Sequence, residues 1–150
     1  MRNPSGHTLL EILIVLALVL IVAGMASAGF LNQLSHHRLN GAVRNLVSDL
    51  RLARELAIAG GVPVSVVLDS EGETYRVQRN FPDGPVIRFR DLKDFDSGYR
   101  GVDLVGSTGG NRVNFFPKGT TNTFTTIRVS SSSGEEKRVS VAVTGRVRVR

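Results

Sequence analysis

Residues 6–30 read GHTLLEILIVLALVLIVAGMASAGF, and from Ile12 to Phe30 the only polar side chain is Ser27. Nineteen residues in that run, at a helical rise of roughly 1.5 Å each, make a rod about 28 Å long. That length approaches the roughly 30 Å hydrocarbon core of a bilayer. Leucine, isoleucine, valine and alanine dominate it, and a helix satisfies its own backbone groups in lipid. The run therefore predicts a transmembrane helix over residues 7–30. The stretch before it, Met1 to Gly6, is short and polar, with Arg2 as its one positive charge, which favours the cytoplasmic side. A secretory signal would be cut just after its apolar run; here the run passes into a patterned helix instead. Glu11 stands at the edge of the run. A carboxylate at the bilayer centre costs roughly 2.5–3.5 kcal/mol and less near the interface. Two readings stay open: Glu11 is hydrated just outside the lipid core, or it has a partner there.

Beyond Phe30 the pattern turns amphipathic. Leu39, Val43, Leu46, Leu50, Ala53 and Ala57 recur at three- and four-residue steps, with Arg38, Arg44, Arg51, Arg54 and Glu55 mostly off that stripe, as one face of a helix requires. This continuation, residues 31–60, is expected to run to about Ala59. It should stop at Gly60-Gly61, with Pro63 just beyond. Gly24, Gly29 and Gly41 are points at which it can bend. Residues 61–150 read as a β-rich head. Val62–Asp69 and Thr74–Asn80 flank a turn at Ser70-Glu71-Gly72-Glu73, and Thr125–Ser130 and Glu136–Thr144 flank one at Ser131-Ser132-Ser133-Gly134. Pro85–Leu92, Gly101–Val105, Arg112–Phe116 and Arg146–Arg150 complete the expected strands. The fold class is α+β: one long helix whose upper half packs on antiparallel sheet.

Charge is unevenly placed. The net +6 of the chain resides in residues 112–150, where eight Lys/Arg face only Glu135 and Glu136; residues 1–60 carry +2 and residues 61–111 carry −2. A local excess of this kind suits a polyanion or an anionic surface, and it also serves solubility. Its densest part is Thr144-Gly145-Arg146-Val147-Arg148-Val149-Arg150. With a strand's two-residue period, Arg146, Arg148 and Arg150 face one way, about 6.6 Å apart, and the valines the other. Such a row can hold phosphates through paired hydrogen bonds, in a salt-sensitive way that ignores sequence. It is equally the pattern of an edge strand whose solvated charges discourage pairing with other sheets.

Catalytic chemistry finds no foothold in the sequence. Cysteine is absent, and the three histidines, His7, His36 and His37, all lie on the predicted helix or just before it. Adjacent His36 and His37 point in different directions on a helix and suit shared metal coordination poorly; they mark the membrane–water boundary better. Asp91, Asp94 and Asp96 share a stretch with Lys93 but lack the spacing and terminal glutamate of a calcium loop. No enzyme, cofactor, metal site or small-molecule substrate is expected.

Gly6-His7-Thr8-Leu9-Leu10-Glu11 and the apolar helix after it resemble the class III signal of type IV pilins and pseudopilins. His7 stands where phenylalanine is usual in that family. The resemblance implies that residues 1–6 are a leader, that prepilin peptidase cuts between Gly6 and His7, and that the new amino terminus at His7 is methylated. It further implies that Glu11 balances the terminal amine of a neighbouring subunit in the filament core. Arg112–Gly119 (RVNFFPKG) and Arg138–Val149 (RVSVAVTGRVRV) resemble the GspH/FimT minor pilins. The implied role is a minor subunit of a pseudopilus or pilus, anchored once in the bacterial inner membrane with a periplasmic head. Its implied partners are other pilin subunits and the peptidase, and its task is type II protein secretion or pilus assembly. The alternative is DNA capture for natural transformation through a Gly-Arg-x-Arg motif. That motif falls on Gly145, Arg146 and Arg148, helped by Arg150, Lys137 and Arg138.

Overall fold

A computed structural model describes residues 8–93 and 98–150, the side chains of residues 25–32 excepted. The chain divides into two compact units, Met1–Leu34 and Ser35–Arg150. One helix, α1 (Leu9–Gly60), begins in the first and ends in the second, unbroken at Gly24, Gly29 and Gly41. In the first unit Thr8 caps α1: its Oγ1 accepts a hydrogen bond from the Glu11 N–H at 3.3 Å. A threonine there satisfies one of the four orphan donors of the first turn. Every Leu, Ile and Val from Leu9 to Val22 is more than half exposed. A helix that is apolar all round needs an apolar surround.

In the second unit the expected stripe is the buried one. Leu39, Val43, Leu46, Leu50, Ala53 and Ala57 are all buried, joined by Ala42 and Val47. Gly61, at φ +64°, takes the left-handed conformation that closes a helix C-terminus, which glycine adopts without a Cβ penalty.

Eight strands follow: β1 (Val64–Asp69), β2 (Thr74–Arg79), β3 (Val86–Asp91), β4 (Val102–Ser107), β5 (Arg112–Phe115), β6 (Thr125–Ser131), β7 (Glu136–Val141) and β8 (Val147–Val149). They form two antiparallel sheets rather than one, in the orders β3-β2-β1-β5 and β4-β6-β7-β8. Both predicted hairpins close as expected, Asp69 pairing with Thr74 and Ser130 with Glu136. Val66, Val77, Val113 and Phe115 from the first sheet share one core with Leu104, Ile127, Val139 and Val141 from the second and with the α1 stripe. β3 departs from the usual alternation. Its Ile87 and Phe89 are exposed, whereas Arg88 and Arg90 turn towards α1 and bind Asp49. A buried carboxylate on the helix selects the charged side of this edge strand.

Candidate functional site

Two sets of residues carry chemistry in the described structure. The first is an outward face of the second sheet. β6 pairs with β7 as Thr126–Ser140 and Arg128–Arg138, and β7 with β8 as Ser140–Arg148 and Val141–Val147. Arg138 and Arg150 exchange both backbone hydrogen bonds, at 2.9 and 2.8 Å, extending the pairing one residue past β8. Val139 and Val141 point into the core, so by alternation the even-numbered residues of β7 point out. Arg128, Arg138 and Arg150 thus form one row across three strands, and Thr126, Ser140 and Arg148 the next. Arg146, Arg148 and Arg150 line a cavity of about 350 Å³ together with Phe124, Ser140 and Ala142. Phe124 is 56% exposed. Arg138 Nε is 2.8 Å from Glu136 Oε1, whereas among the described residues no ion pair reaches Arg128, Arg146, Arg148 or Arg150.

Two members of the expected arginine site stand elsewhere. Lys137 lies between the outward-facing Glu136 and Arg138, so its side chain takes the opposite face. Its Nζ donates to Asn40 Oδ1 on α1 and sits 3.8 Å from Glu135; it does not join the arginines. Gly145 is buried and shapes the turn between β7 and β8, its N–H donating to the Ala142 carbonyl at 2.8 Å. It holds φ +75°, and a Cβ there would overlap the Gly119 carbonyl oxygen. That same oxygen accepts a hydrogen bond from Arg54 Nε at 3.0 Å. Glycine is needed here for close backbone approach.

The second set surrounds Asp49, whose side chain has no exposed surface. Arg88 Nη1 lies 2.6 Å from its Oδ1 and Arg90 Nε 3.3 Å from its Oδ2, while the Tyr75 hydroxyl donates to Oδ2 at 2.9 Å. Burial, and then the Asp49 charge, push the Tyr75 hydroxyl far above its ordinary pKa. Burial works against the Arg90 charge, but Asp49 outweighs it and raises the guanidinium above its ordinary value. The arrangement ties edge strand β3 to the helix. It offers no nucleophile and no acid–base pair near neutrality.

Of the N-terminal residues, Gly6 and His7 lie outside the described residues, as do Asp94 and Asp96. Glu11 is exposed in the first turn of α1, where the positive end of the helix favours a carboxylate. The described side chains of the apolar run end at Gly24, and no helix among the described residues is long and apolar enough to cross a membrane. His36 Nδ1 meets Glu135 Oε2 at 2.8 Å, which ties α1 to the turn before β7. Among the described residues no group of three His, Cys, Asp or Glu could hold a metal ion.

Comparison with known proteins identifies the family and the fold. Residues 42–145 match the family model of the type II transport protein GspH, and residues 1–27 match the prokaryotic N-terminal methylation motif. The chain belongs to the GspH family. It is 33% identical over 70 residues to the type II secretion system protein H of Xanthomonas campestris pv. campestris. That match covers 47% of this chain and 41% of the relative, so the chain spans less than half the length of the curated relative. Its fold is that of the type IV minor pilin FimU of Pseudomonas aeruginosa, with a TM-score of 0.62 and 19% identity over 77% of this chain and 90% of FimU. The minor pseudopilin EpsH from the type 2 secretion system of Vibrio cholerae is similar at a TM-score of 0.58 and 17% identity, over 75% of this chain and 96% of EpsH.

As a GspH-family protein the chain is a minor pilin or pseudopilin. Three residues that carry chemistry, two at the surface and one buried, were not singled out from the sequence. Phe124 and Arg128 precede the arginine-rich tail by a whole hairpin, and only strand pairing brings them beside it. Asp49 had a local signal: it sits three residues after Leu46 and four before Ala53, on the buried stripe itself, where a carboxylate must find partners.

Proposed function

We propose that the chain is a filament subunit cut after Gly6 by prepilin peptidase and methylated at His7. Its helix anchors it once in the bacterial inner membrane, with the β-rich head in the periplasm, and it serves type II secretion or pilus assembly. The carrying observation is the contrast along α1: apolar side chains exposed on every side from Leu9 to Val22, then a one-sided buried stripe from Leu39 to Ala57. The first part suits lipid or the core of a helical filament, and the second supports a head. Glu11, at the cap of the apolar part, then pairs with the terminal amine of a neighbour, and a buried charge so paired selects one docking register. Glu11→Ala is expected to insert in the membrane normally but to be depleted at least severalfold from sheared filaments. Recovery at the wild-type level would remove the assembly role.

A second reading, DNA capture by the head, is favoured by the outward face of the second sheet. Arginines placed directly opposite one another weaken a sheet, so Arg128, Arg138 and Arg150 in one row make better sense with a polyanion across them. Phe124 beside Arg146 and Arg148 adds a ring on which a base could stack. Arg146→Ala/Arg148→Ala is expected to cut DNA binding by the full chain in detergent at least tenfold and to flatten its salt dependence. Unchanged binding, or none by the wild type, would leave the arginines as solvated surface.

A further inference from the structure

A groove of about 800 Å³ lies on the other side of the head, along α1 and bounded by Arg88 of β3 and Val149 of β8. These two strands are the outer members of their sheets, so the groove runs between two strand edges with the helix as its floor. β8 offers its edge in a definite way. Arg150 exchanges both backbone hydrogen bonds with Arg138, and the Arg146 carbonyl accepts from Ala142 N–H, on the β7 side. By the alternation of an antiparallel ladder, the N–H and C=O of Val147 and Val149 then point outward. The same holds for β3, where Leu92 N–H bonds Glu73 O; Phe89 and Asp91 direct their backbone groups away from β2. Exposed edges of this kind are templates for an added strand.

The walls of the groove specify what would be added. Arg44 and Arg51 stand two turns apart on α1, about 10.5 Å along the axis, and line it with Arg88 and Lys137; Glu55 is its one carboxylate. Among the described residues neither Arg44 nor Arg51 has an ion-pair partner. Beside these cations the groove carries the exposed hydroxyl of Ser48 and two apolar residues, half-buried Leu52 and Val149, which is 48% exposed although it faces inward as Val147 does. An extended segment places alternate side chains on one face about 6.6 Å apart, so the carboxylates of that face can meet the arginines while the intervening residues point away from the helix.

We propose that this groove is the docking site for an extended, acidic segment of a partner protein, which adds to the β8 edge and pairs its carboxylates with Arg44 and Arg51. The arginine face of the second sheet is not involved. Free cations on the floor and unpaired backbone at the rim together favour this occupant over a helix, which would leave the edge unpaired, and over a second copy of this basic chain.

The test uses the full chain in detergent micelles and a fluorescein-labelled peptide of alternating valine and glutamate, read by anisotropy. The wild type should bind it, and Arg44→Glu/Arg51→Glu should weaken binding by at least about tenfold. The same peptide methylated on alternate backbone nitrogens should weaken by a similar factor, and a valine–lysine peptide should not bind. Arg146→Ala/Arg148→Ala should bind as the wild type does. Because Arg44 and Arg51 are exposed and unpaired, the groove variant should keep the wild-type unfolding midpoint, which separates lost docking from lost folding. No binding by the wild type up to millimolar peptide overturns the proposal. So does binding lost in the Arg146/Arg148 variant but kept in the groove variant, or backbone methylation without effect. Self-association that Arg44→Glu/Arg51→Glu abolishes would assign the groove to a second copy and also overturn it.

Discussion

Asp49 is a carboxylate with no exposed surface, held by two arginines that each keep about a third or more of their side chain in water. That asymmetry decides how the site should respond to substitution. Removing both Arg88 and Arg90 leaves a buried charge with only the Tyr75 hydroxyl, a loss of about 3–5 kcal/mol in a buried pair. Removing Asp49 frees two arginines that can turn into solvent. Arg88→Ala/Arg90→Ala is therefore expected to lower unfolding stability more than Asp49→Ala, measured by urea titration of the two proteins side by side. The reverse order would mean that the arginines hold β3 by packing and not by charge. Arg138 and Lys137 teach a similar lesson about neighbours in sequence. One joins the outward arginines and the other reaches α1, because adjacent strand residues take opposite faces.

Among the elements, the β7–β8 hairpin depends most on a single position. Its turn closes through Gly145, whose left-handed backbone and close approach to Gly119 exclude any side chain. Gly145→Ala should cost about 1–3 kcal/mol from backbone conformation alone, and more from overlap with the Gly119 carbonyl. The loss is read in the thermal midpoint and in amide exchange of Val147 and Val149. An unchanged midpoint would show that the turn relaxes freely. The consequence for function is indirect: a glycine that shapes the turn aims Arg146 and Arg148 without touching any ligand. β3 shows the opposite dependence. Its apolar residues face solvent and its arginines face inward, so its position rests on Asp49 more than on buried area.

For the molecule as a whole, one shared core makes stability respond to titration of Tyr75. Its folded pKa is raised, so the folded state keeps a proton that the unfolded chain releases above the ordinary tyrosine value of about 10. The contribution is fully present below that pH and is lost as pH rises further. Arg90 is shifted in the same direction and acts only above its own ordinary value of about 12.5. Unfolding stability should therefore fall as pH rises above about 10, and Tyr75→Phe should flatten that slope while lowering stability near neutrality by about 1–3 kcal/mol through the lost hydrogen bond to Asp49. A slope unchanged by Tyr75→Phe would place the alkaline sensitivity elsewhere.

The sequence by itself determined the single long helix, its end at Gly60, the eight strands, both hairpin turns and the family of filament subunits. These rest on patterns within a few residues: apolar periodicity, turn chemistry and the spacing from Gly6 to Glu11. Only the tertiary structure decided that the strands divide into two sheets, that Phe124 and Arg128 stand beside the tail arginines while Lys137 does not, and that Arg88 and Arg90 converge on Asp49. The physical reason is range. Local periodicity says which residues share a face, but which faces meet depends on pairings between residues distant in the chain, 39 positions apart for Asp49 with Arg88 and 99 for His36 with Glu135.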